Sequence, residues 1–163
     1  MKSIYLVGFM GSGKTSIALA LKDKLGWKSQ DTDELIEEEY QQSIPTIFKD
    51  KGEQVFRDYE TAILKKTNQK QTVIATGGGI IERKENREFL KQHGIVIFLD
   101  TSWEEIVKRL SDDGSRPIWS NKNMDKKKLL KERLPKYKEV ADIIIKTDQK
   151  SIDVITDEII SNL

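Results

Sequence analysis

The sequence contains no cysteine, one histidine and few aromatic residues, which make up 7% of its 163 residues. The lack of cysteine excludes disulfide bonds and any metal site built on thiolates. The formal net charge is only +1, so the overall charge does not favour a nucleic-acid partner. The chain also lacks an apolar run of membrane-spanning length and a signal-peptide pattern. We therefore expect a soluble, cytoplasmic protein that binds neither nucleic acid nor membrane.

The sequence does contain alternating strand-like and helix-like segments, without repeats or a low-complexity linker. Its length predicts a single domain over residues 1–163 with its own core. Apolar runs typical of parallel strands buried on both faces lie at 4–7, 72–75, 95–99 and 143–145, with a weaker candidate at 27–30. Helical patterns lie at roughly 14–25, 33–40, 53–67, 82–92, 103–111, 125–139 and 151–161. This order predicts an α/β fold with three layers, α/β/α, around about five parallel strands.

Residues 8–15, GFMGSGKT, match the phosphate-binding P-loop pattern G-x-x-x-x-G-K-[ST] between a predicted strand and a predicted helix. Glycines allow the backbone N–H groups to turn toward phosphate oxygens, and the helix N-terminus adds a partial positive charge. Lys14, expected on a solvent-facing loop, supplies a cation for the β- and γ-phosphates, and Thr15 supplies a hydroxyl for Mg²⁺. The predicted ATP-binding residues here are Gly11, Ser12, Gly13, Lys14, Thr15 and Ser16.

Two carboxylates, Asp31 and Asp33, follow the second predicted strand, on the side of the sheet where ligands bind. Ordinary helix capping could explain either one alone. A functional interpretation uses both: Asp31 orients Mg²⁺ through a bound water, and Asp33 accepts a hydrogen bond from an acceptor hydroxyl.

Arg57 and Glu60 share a helix face at i,i+3 spacing, downstream of Ser43 and Pro45, which are typical of a helix start. The pair is either an exposed ion pair of little consequence or a device in which Glu60 holds the Arg57 guanidinium toward a substrate carboxylate.

Three consecutive glycines, 77–79, follow the third predicted strand. Their entropic cost is reasonable where a ligand or another backbone must approach closely, and a simple turn needs fewer. We therefore favour a ligand contact at this strand end.

In this order and spacing, the P-loop, Asp-x-Asp, Gly-Glu-x-x-Phe-Arg-x-x-Glu and triple-glycine motifs resemble the shikimate kinase family. Two later motifs extend the resemblance: Arg116 within Ser-Arg-Pro stands where the family has its lid arginine, and Arg133 begins Arg-x-x-x-Tyr-x-x-x-Ala-Asp, the second substrate-arginine motif. The likeness covers about residues 4–142. Trp119 departs from the family, which usually has an aliphatic residue there.

The resemblance implies a P-loop, nucleoside-kinase-like fold with a mobile lid at about 111–123 and a substrate-binding region at about 32–60. It implies transfer of phosphate from ATP to the 3-hydroxyl of shikimate, giving shikimate 3-phosphate and ADP, with Mg²⁺ held by Thr15 and Asp31. A monomer is expected.

The family likeness also implies a role for each remaining candidate. Lys14 and Arg116 stabilise charge in the transition state, and Arg109 stacks on adenine unless it is simply a surface arginine. Toward the acceptor substrate, Asp33 contacts the hydroxyl groups. Whether Asp33 also removes a proton is left open, because positioning alone could suffice. The substrate carboxylate is held by Arg57 and Arg133, and the substrate is contacted through the backbone by Gly78 and Gly79.

Some patterns favour other interpretations. Asp100 ends a strand as a metal-binding aspartate would, but the following Ser102 and Glu105 form a capping box, so Asp100 is expected to be structural. His93 is interpreted as part of a helix C-terminus.

The alternatives to shikimate kinase activity are a related kinase of gluconate or of a nucleoside monophosphate, and a nucleotide-switch protein. A GTPase switch should carry a guanine-reading motif, which Asn121–Met124 matches only in part.

Overall fold

The computed structural model describes the backbone of residues 1–112 and 121–163, with side chains for 1–110 and 125–163. A five-stranded parallel sheet lies at its centre, in the order β2-β3-β1-β4-β5. Its strands are β1 Ile4–Val7, β2 Lys28–Asp31, β3 Thr72–Ala75, β4 Ile95–Asp100 and β5 Ile143–Lys146. The predicted strands are confirmed, with the weak second one beginning a residue later than expected.

Helices separate the strands along the chain. They are α1 Lys14–Leu25, α2 Thr32–Tyr40, α3 Ile44–Lys51, α4 Glu53–Lys66, α5 Lys84–His93, α6 Trp103–Asp112, α7 Asn121–Val140 and α8 Ile152–Ser161. Ser43 caps α3 by accepting a hydrogen bond from the Thr46 N–H at 3.3 Å, and Pro45 lies in the first turn, as predicted. Helix α7 begins four residues before the predicted start at 125, so the partial guanine-reading motif lies in its first turn.

Alternation along β1 sends its side chains to the two faces of the sheet. Ile4 and Leu6 pack in one core with buried residues of α1 and α8, whereas Tyr5 and Val7 pack in a second core with residues of α4, α5, α6 and α7. All four side chains are fully buried. Helices therefore cover both faces, which confirms the predicted three-layer α/β/α architecture.

A third, smaller core joins α2, α3 and α4 beyond the edge of the sheet at β2. It consists of the buried side chains of Ile36, Ile47, Phe56 and Ile63. This core fixes the direction of α4 relative to the ends of β2 and β3. It thereby positions the residues that α4 presents to the site described below.

The start of α6 differs from the predicted capping box. The Ser102 hydroxyl accepts a hydrogen bond from the Glu105 N–H at 3.2 Å. The reciprocal half of the box is replaced, because the Ser102 N–H donates to Asp148 at 3.0 Å and the Glu105 carboxylate accepts from Arg109 at 3.3 Å.

None of the helices in 1–112 and 121–163 combines the length and apolarity needed to cross a membrane.

Candidate active site

Apart from Arg116, which lies outside the described residues, the predicted site residues meet at the carboxyl edge of the sheet, where β1, β2 and β3 end side by side. A cleft of about 430 Å³ lies over the P-loop. A second cavity of about 230 Å³ adjoins it. The two share four lining residues, Met10, Asp33, Gly77 and Gly78. The site is therefore one crevice with two halves, and Asp33 lies at the junction.

The first half is built on the P-loop, whose backbone is left-handed at Gly11 (φ 81°) and Gly13 (φ 90°). These are conformations that glycine adopts without strain. Ser12 is buried, whereas Thr15 and Ser16 are exposed on the first turn of α1. Among these, Gly11, Gly13, Thr15 and Ser16 line the cleft.

Lys14 lies in the cleft and not on a solvent-facing loop, which corrects the expectation for this residue. Its ammonium folds back and donates hydrogen bonds to the carbonyls of Gly8, at 2.5 Å, and Phe9, at 3.0 Å. Burial lowers the pKa of Lys14 to about 8, although the carboxylates of Asp33 and Asp31 oppose this shift. The ammonium is thus confined close to where phosphates would enter.

The two carboxylate oxygens of Asp31 have different partners. Its Oδ1 caps α2 by accepting hydrogen bonds from the N–H groups of Asp33, at 2.9 Å, and Glu34, at 3.4 Å. Its Oδ2 accepts a hydrogen bond from the Thr15 hydroxyl at 3.3 Å. Capping therefore leaves one oxygen facing the cleft, so the capping and functional interpretations are compatible at Asp31.

Asp33 lies in the first turn of α2 and faces Gly77. Burial raises the pKa of its carboxyl group, the charge of Asp31 raises it further, and Lys14 opposes both. A Cβ atom placed on Gly77 would lie 2.9 Å from Asp33 Oδ1 and 3.1 Å from Glu60 Oε2. The first glycine of the triplet thus makes room for two carboxylates, a role that the glycine pattern alone does not indicate.

Arg57 and Glu60 form a buried ion pair, so the exposed-pair interpretation is wrong. Arg57 Nη1 lies 2.9 Å from Glu60 Oε1, with side-chain exposures of 13% and 1%. Burial raises the pKa of the Glu60 carboxyl group, while the Arg57 guanidinium opposes the shift. A Cβ on Gly79 would collide with the same guanidinium. Arg57 is therefore held against the triple-glycine backbone, at the wall of the second cavity.

Arg133, from the middle of α7, reaches the second cavity from the other side. Its side chain is only 8% exposed, and its Nε donates to Glu82 at 3.3 Å. Its guanidinium lies 5.9 Å from the Phe9 ring centroid. Its Nη1 lies 3.4 Å from the position of a Cβ on Gly78. The structure thus brings Arg133, Arg57 and Asp33 to one cavity, as the motifs predicted.

Arg109 lies on α6 against the P-loop. Its Nη1 donates to the Gly11 carbonyl at 3.1 Å, and Glu105 holds its Nε. It is therefore not a free surface arginine, and it lies on the nucleotide side of the crevice. Arg116, Trp119 and most of the predicted lid at 111–123 lie outside the described residues.

Two contributors to the site have no counterpart in the sequence-based predictions. Glu82 accepts hydrogen bonds from both Arg133 and Lys136. Burial acts to raise the pKa of its carboxyl group, but these two cations together outweigh burial and lower it. The Thr32 hydroxyl accepts a hydrogen bond from the Gly77 N–H at 3.1 Å. Glu82 stands in no recognisable motif and Thr32 is the variable position of Asp-x-Asp, so only their contacts reveal them.

Comparisons with known proteins agree with this geometry. The family model described as shikimate kinase matches residues 10–163. Shikimate kinase from Bacillus cereus (strain AH187) is 42% identical over 159 residues, 98% of this chain and 96% of the relative. The Persephonella marina shikimate kinase is 40% identical over 164 residues, covering 100% of this chain and 99% of the relative. A solved structure of shikimate kinase from Acinetobacter baumannii in complex with shikimate superposes with a TM-score of 0.91 at 40% identity, covering 99% and 92% of the two chains. The chain therefore belongs to the shikimate kinase family.

Proposed function

We propose that this member of the shikimate kinase family transfers the γ-phosphoryl group of ATP to the 3-hydroxyl of shikimate through the two halves of this crevice. The observation that carries the proposal is the shared lining of the two cavities, which places Asp33 between the P-loop and the arginine pair. A nucleotide and an anionic alcohol could then meet with their reacting atoms at the junction.

The nucleotide half is assigned to the P-loop with Lys14, Thr15 and Arg109. Mg²⁺ fits the donor set, because Thr15 Oγ1 and Asp31 Oδ2 are hard oxygen ligands 3.3 Å apart that line the cleft. No cluster of three or more His, Cys, Asp or Glu ligands occurs within the described part of the chain. That agrees with a magnesium ion that takes most of its ligands from phosphates and water. When bound, it neutralises charge on the transferred group.

The acceptor half is assigned to Arg57 and Arg133, whose guanidinium groups would hold the substrate carboxylate. Two arginines on one small cavity indicate an anionic ligand, since guanidinium recognises carboxylate through paired hydrogen bonds. Because Glu60 and Glu82 hold these cations in place, little rotamer freedom is lost on binding. Gly78 and Gly79 would contact the substrate through the backbone.

In the transfer step, an acceptor hydroxyl oxygen bonds to the γ-phosphorus as the bond to the β-phosphate oxygen breaks, releasing ADP. Asp33 accepts the hydrogen bond of the attacking hydroxyl and orients it, and the hydroxyl proton leaves to Asp33 or to water. Lys14 stabilises charge on the phosphoryl oxygens. Arg116 is proposed for the same role from the family motif alone. We also propose a cytoplasmic monomer without nucleic-acid or membrane partners.

The direct test is ADP formation with ATP and Mg²⁺, measured with and without shikimate. We expect turnover to depend on shikimate, whereas gluconate and nucleoside monophosphates should not support it. Family membership already favours this outcome over the related kinases. Hydrolysis of ATP at the same rate without any acceptor would instead favour the nucleotide-switch alternative.

Arg133→Ala should weaken shikimate binding by roughly ten- to a hundredfold, because it removes a charge-assisted contact made by a nearly buried guanidinium. ATP affinity should change little. The matched control is Lys136→Ala, which removes another cation from the same Glu82 carboxylate but does not line the cavity. Separate titrations with nucleotide and shikimate measure both effects. Loss of ATP affinity with intact shikimate affinity would show that the two halves are wrongly assigned.

A further inference from the structure

A buried hydroxyl that the mechanism above does not use holds the triple-glycine turn. Tyr137 lies on α7, one turn after Arg133 and on the same helix face. Its hydroxyl donates a hydrogen bond of 2.6 Å to the carbonyl of Gly78. The side chain is fully buried and lines neither cavity. Its hydroxyl therefore reaches the site through the Gly78 carbonyl and also interacts with the Arg133 side chain.

The bonded carbonyl belongs to the peptide between Gly78 and Gly79, which is trans, as are the other peptides in the described residues. In a planar trans peptide the C=O and N–H groups point in opposite directions. Fixing the Gly78 carbonyl toward Tyr137 therefore aims the Gly79 N–H away from the core, on the side where Gly79 lines the acceptor cavity. Within the described part of the chain, neither the Gly78 nor the Gly79 N–H has an acceptor.

This peptide needs an anchor because two adjacent glycines leave its plane free to rotate. A larger residue does not fit at position 79, where a Cβ would collide with the Arg57 guanidinium. A Cβ on Gly78 would make only ordinary contacts, 3.4 Å from Arg133 Nη1 and 3.6 Å from the backbone nitrogen of Met10. Close approach by Arg57 thus requires glycine at position 79, and the paired glycines leave the orientation of the peptide to an outside contact.

Tyr137 is suited to be that contact because its own position is rigid. Its ring stacks on Phe98 of β4, with centroids 5.1 Å apart and planes 22° from parallel. Burial raises the pKa of its hydroxyl group well above the usual value, although nearby Arg133 opposes the shift. The hydroxyl therefore stays protonated, and remains a donor, throughout the pH range in which the enzyme would work.

We infer that Tyr137 is a positioning residue that locks the Gly78–Gly79 peptide plane so that the Gly79 N–H is preset toward the acceptor. This inference rests on the proposed function and adds to it a residue that touches no substrate. It also gives α7 two connections to the acceptor cavity, one through the Arg133 side chain and one through the backbone that Tyr137 holds.

The test compares Tyr137→Phe with Tyr5→Phe. Both substitutions remove one hydroxyl from a fully buried tyrosine of the same core, but the Tyr5 hydroxyl bonds Thr67 at 2.7 Å, away from both cavities. Thermal melts should show similar losses of stability in the two variants. Tyr137→Phe alone should raise the KM for shikimate by about tenfold, with an unchanged KM for ATP, as expected for one hydrogen bond.

Repeating the comparison in an Arg133→Ala background separates the two contacts of the Tyr137 hydroxyl: if the effect of Tyr137→Phe vanishes there, the hydroxyl acts through Arg133 and the inference is wrong. If the two variants bind shikimate as tightly as the wild type, or lose affinity equally, Tyr137 has no positioning role and the inference is wrong. If Tyr137→Phe fails to fold, shikimate titration of Tyr137→Leu or Tyr137→Met, which also lack a side-chain donor, replaces it: retained affinity would overturn the inference. Wild-type protein without shikimate-dependent turnover would instead refute the proposed function, so the two failures can be distinguished.

Discussion

Replacing Lys14 with methionine should lower kcat by about two to three orders of magnitude, the usual effect of removing one group that stabilises transition-state charge. Methionine keeps much of the length of the side chain but not its charge. The ammonium is confined near the Gly8 and Phe9 carbonyls, and no other cation of the described residues hydrogen-bonds to them. Steady-state kinetics with saturating ATP and shikimate measure the loss.

Lys24→Met is the matched control, because its ammonium pairs with Asp157 on the surface, away from the crevice. It should leave kcat unchanged.

The pKa of the Lys14 ammonium, about 8, adds a second check on its role. In wild-type protein, kcat/KM for ATP should fall as the pH rises through this value, since the neutral amine attracts phosphate weakly. A folded Lys14→Met protein with near-normal turnover would remove Lys14 from the mechanism.

Asp33→Asn should lower kcat by about a hundredfold and, at the same time, stabilise the folded protein. The kinetic loss follows from removing the carboxylate that orients the attacking hydroxyl. The stability gain follows from its raised pKa. A carboxyl group whose pKa rises on folding favours the folded state at low pH, and that contribution is lost as the pH increases through the raised value. At neutral pH the ionised Asp33 therefore costs stability, and asparagine removes the cost.

Thermal melts at neutral and acidic pH, together with kcat, test both parts. The melting temperature should rise at neutral pH, and the difference from wild type should shrink on acidification. Asp50→Asn, which changes an exposed carboxylate of α3 outside both cavities, should alter neither quantity. A variant less stable than wild type would show that ionised Asp33 contributes favourable contacts, and full activity would exclude it from catalysis.

Local sequence was sufficient for most of the fold. Apolar runs such as 4–7 and 72–75 are strands because they are buried on both faces, and their ends locate the site. The P-loop was also predictable, since its residues are consecutive. The position of Lys14 was not, because its partners are carbonyls of the loop itself and the pattern does not show how a long side chain folds back.

Contacts between distant segments account for what the sequence did not reveal. The approach of Gly77 to Asp33 and Glu60 depends on β2 and β3 being neighbours and on the direction of α4. The Glu82 contacts with α7 span 51 and 54 residues and follow no fixed spacing. Tyr137 stood within a recognised motif, yet its partner is a backbone carbonyl that carries no residue identity. Arg116 remains a prediction from the family motif.

The divided carboxylate of Asp31 has a consequence for the energetics of binding. One oxygen faces Thr15 in the nucleotide half, and the other holds the N–H of Asp33, at the edge of the acceptor half. A ligand that pulls Asp31 toward the phosphates must also act on the first turn of α2. Such a shared group makes the two binding equilibria interdependent, and linkage requires the dependence to be mutual. By whatever factor nucleotide changes the affinity for the acceptor, the acceptor changes the affinity for nucleotide by the same factor.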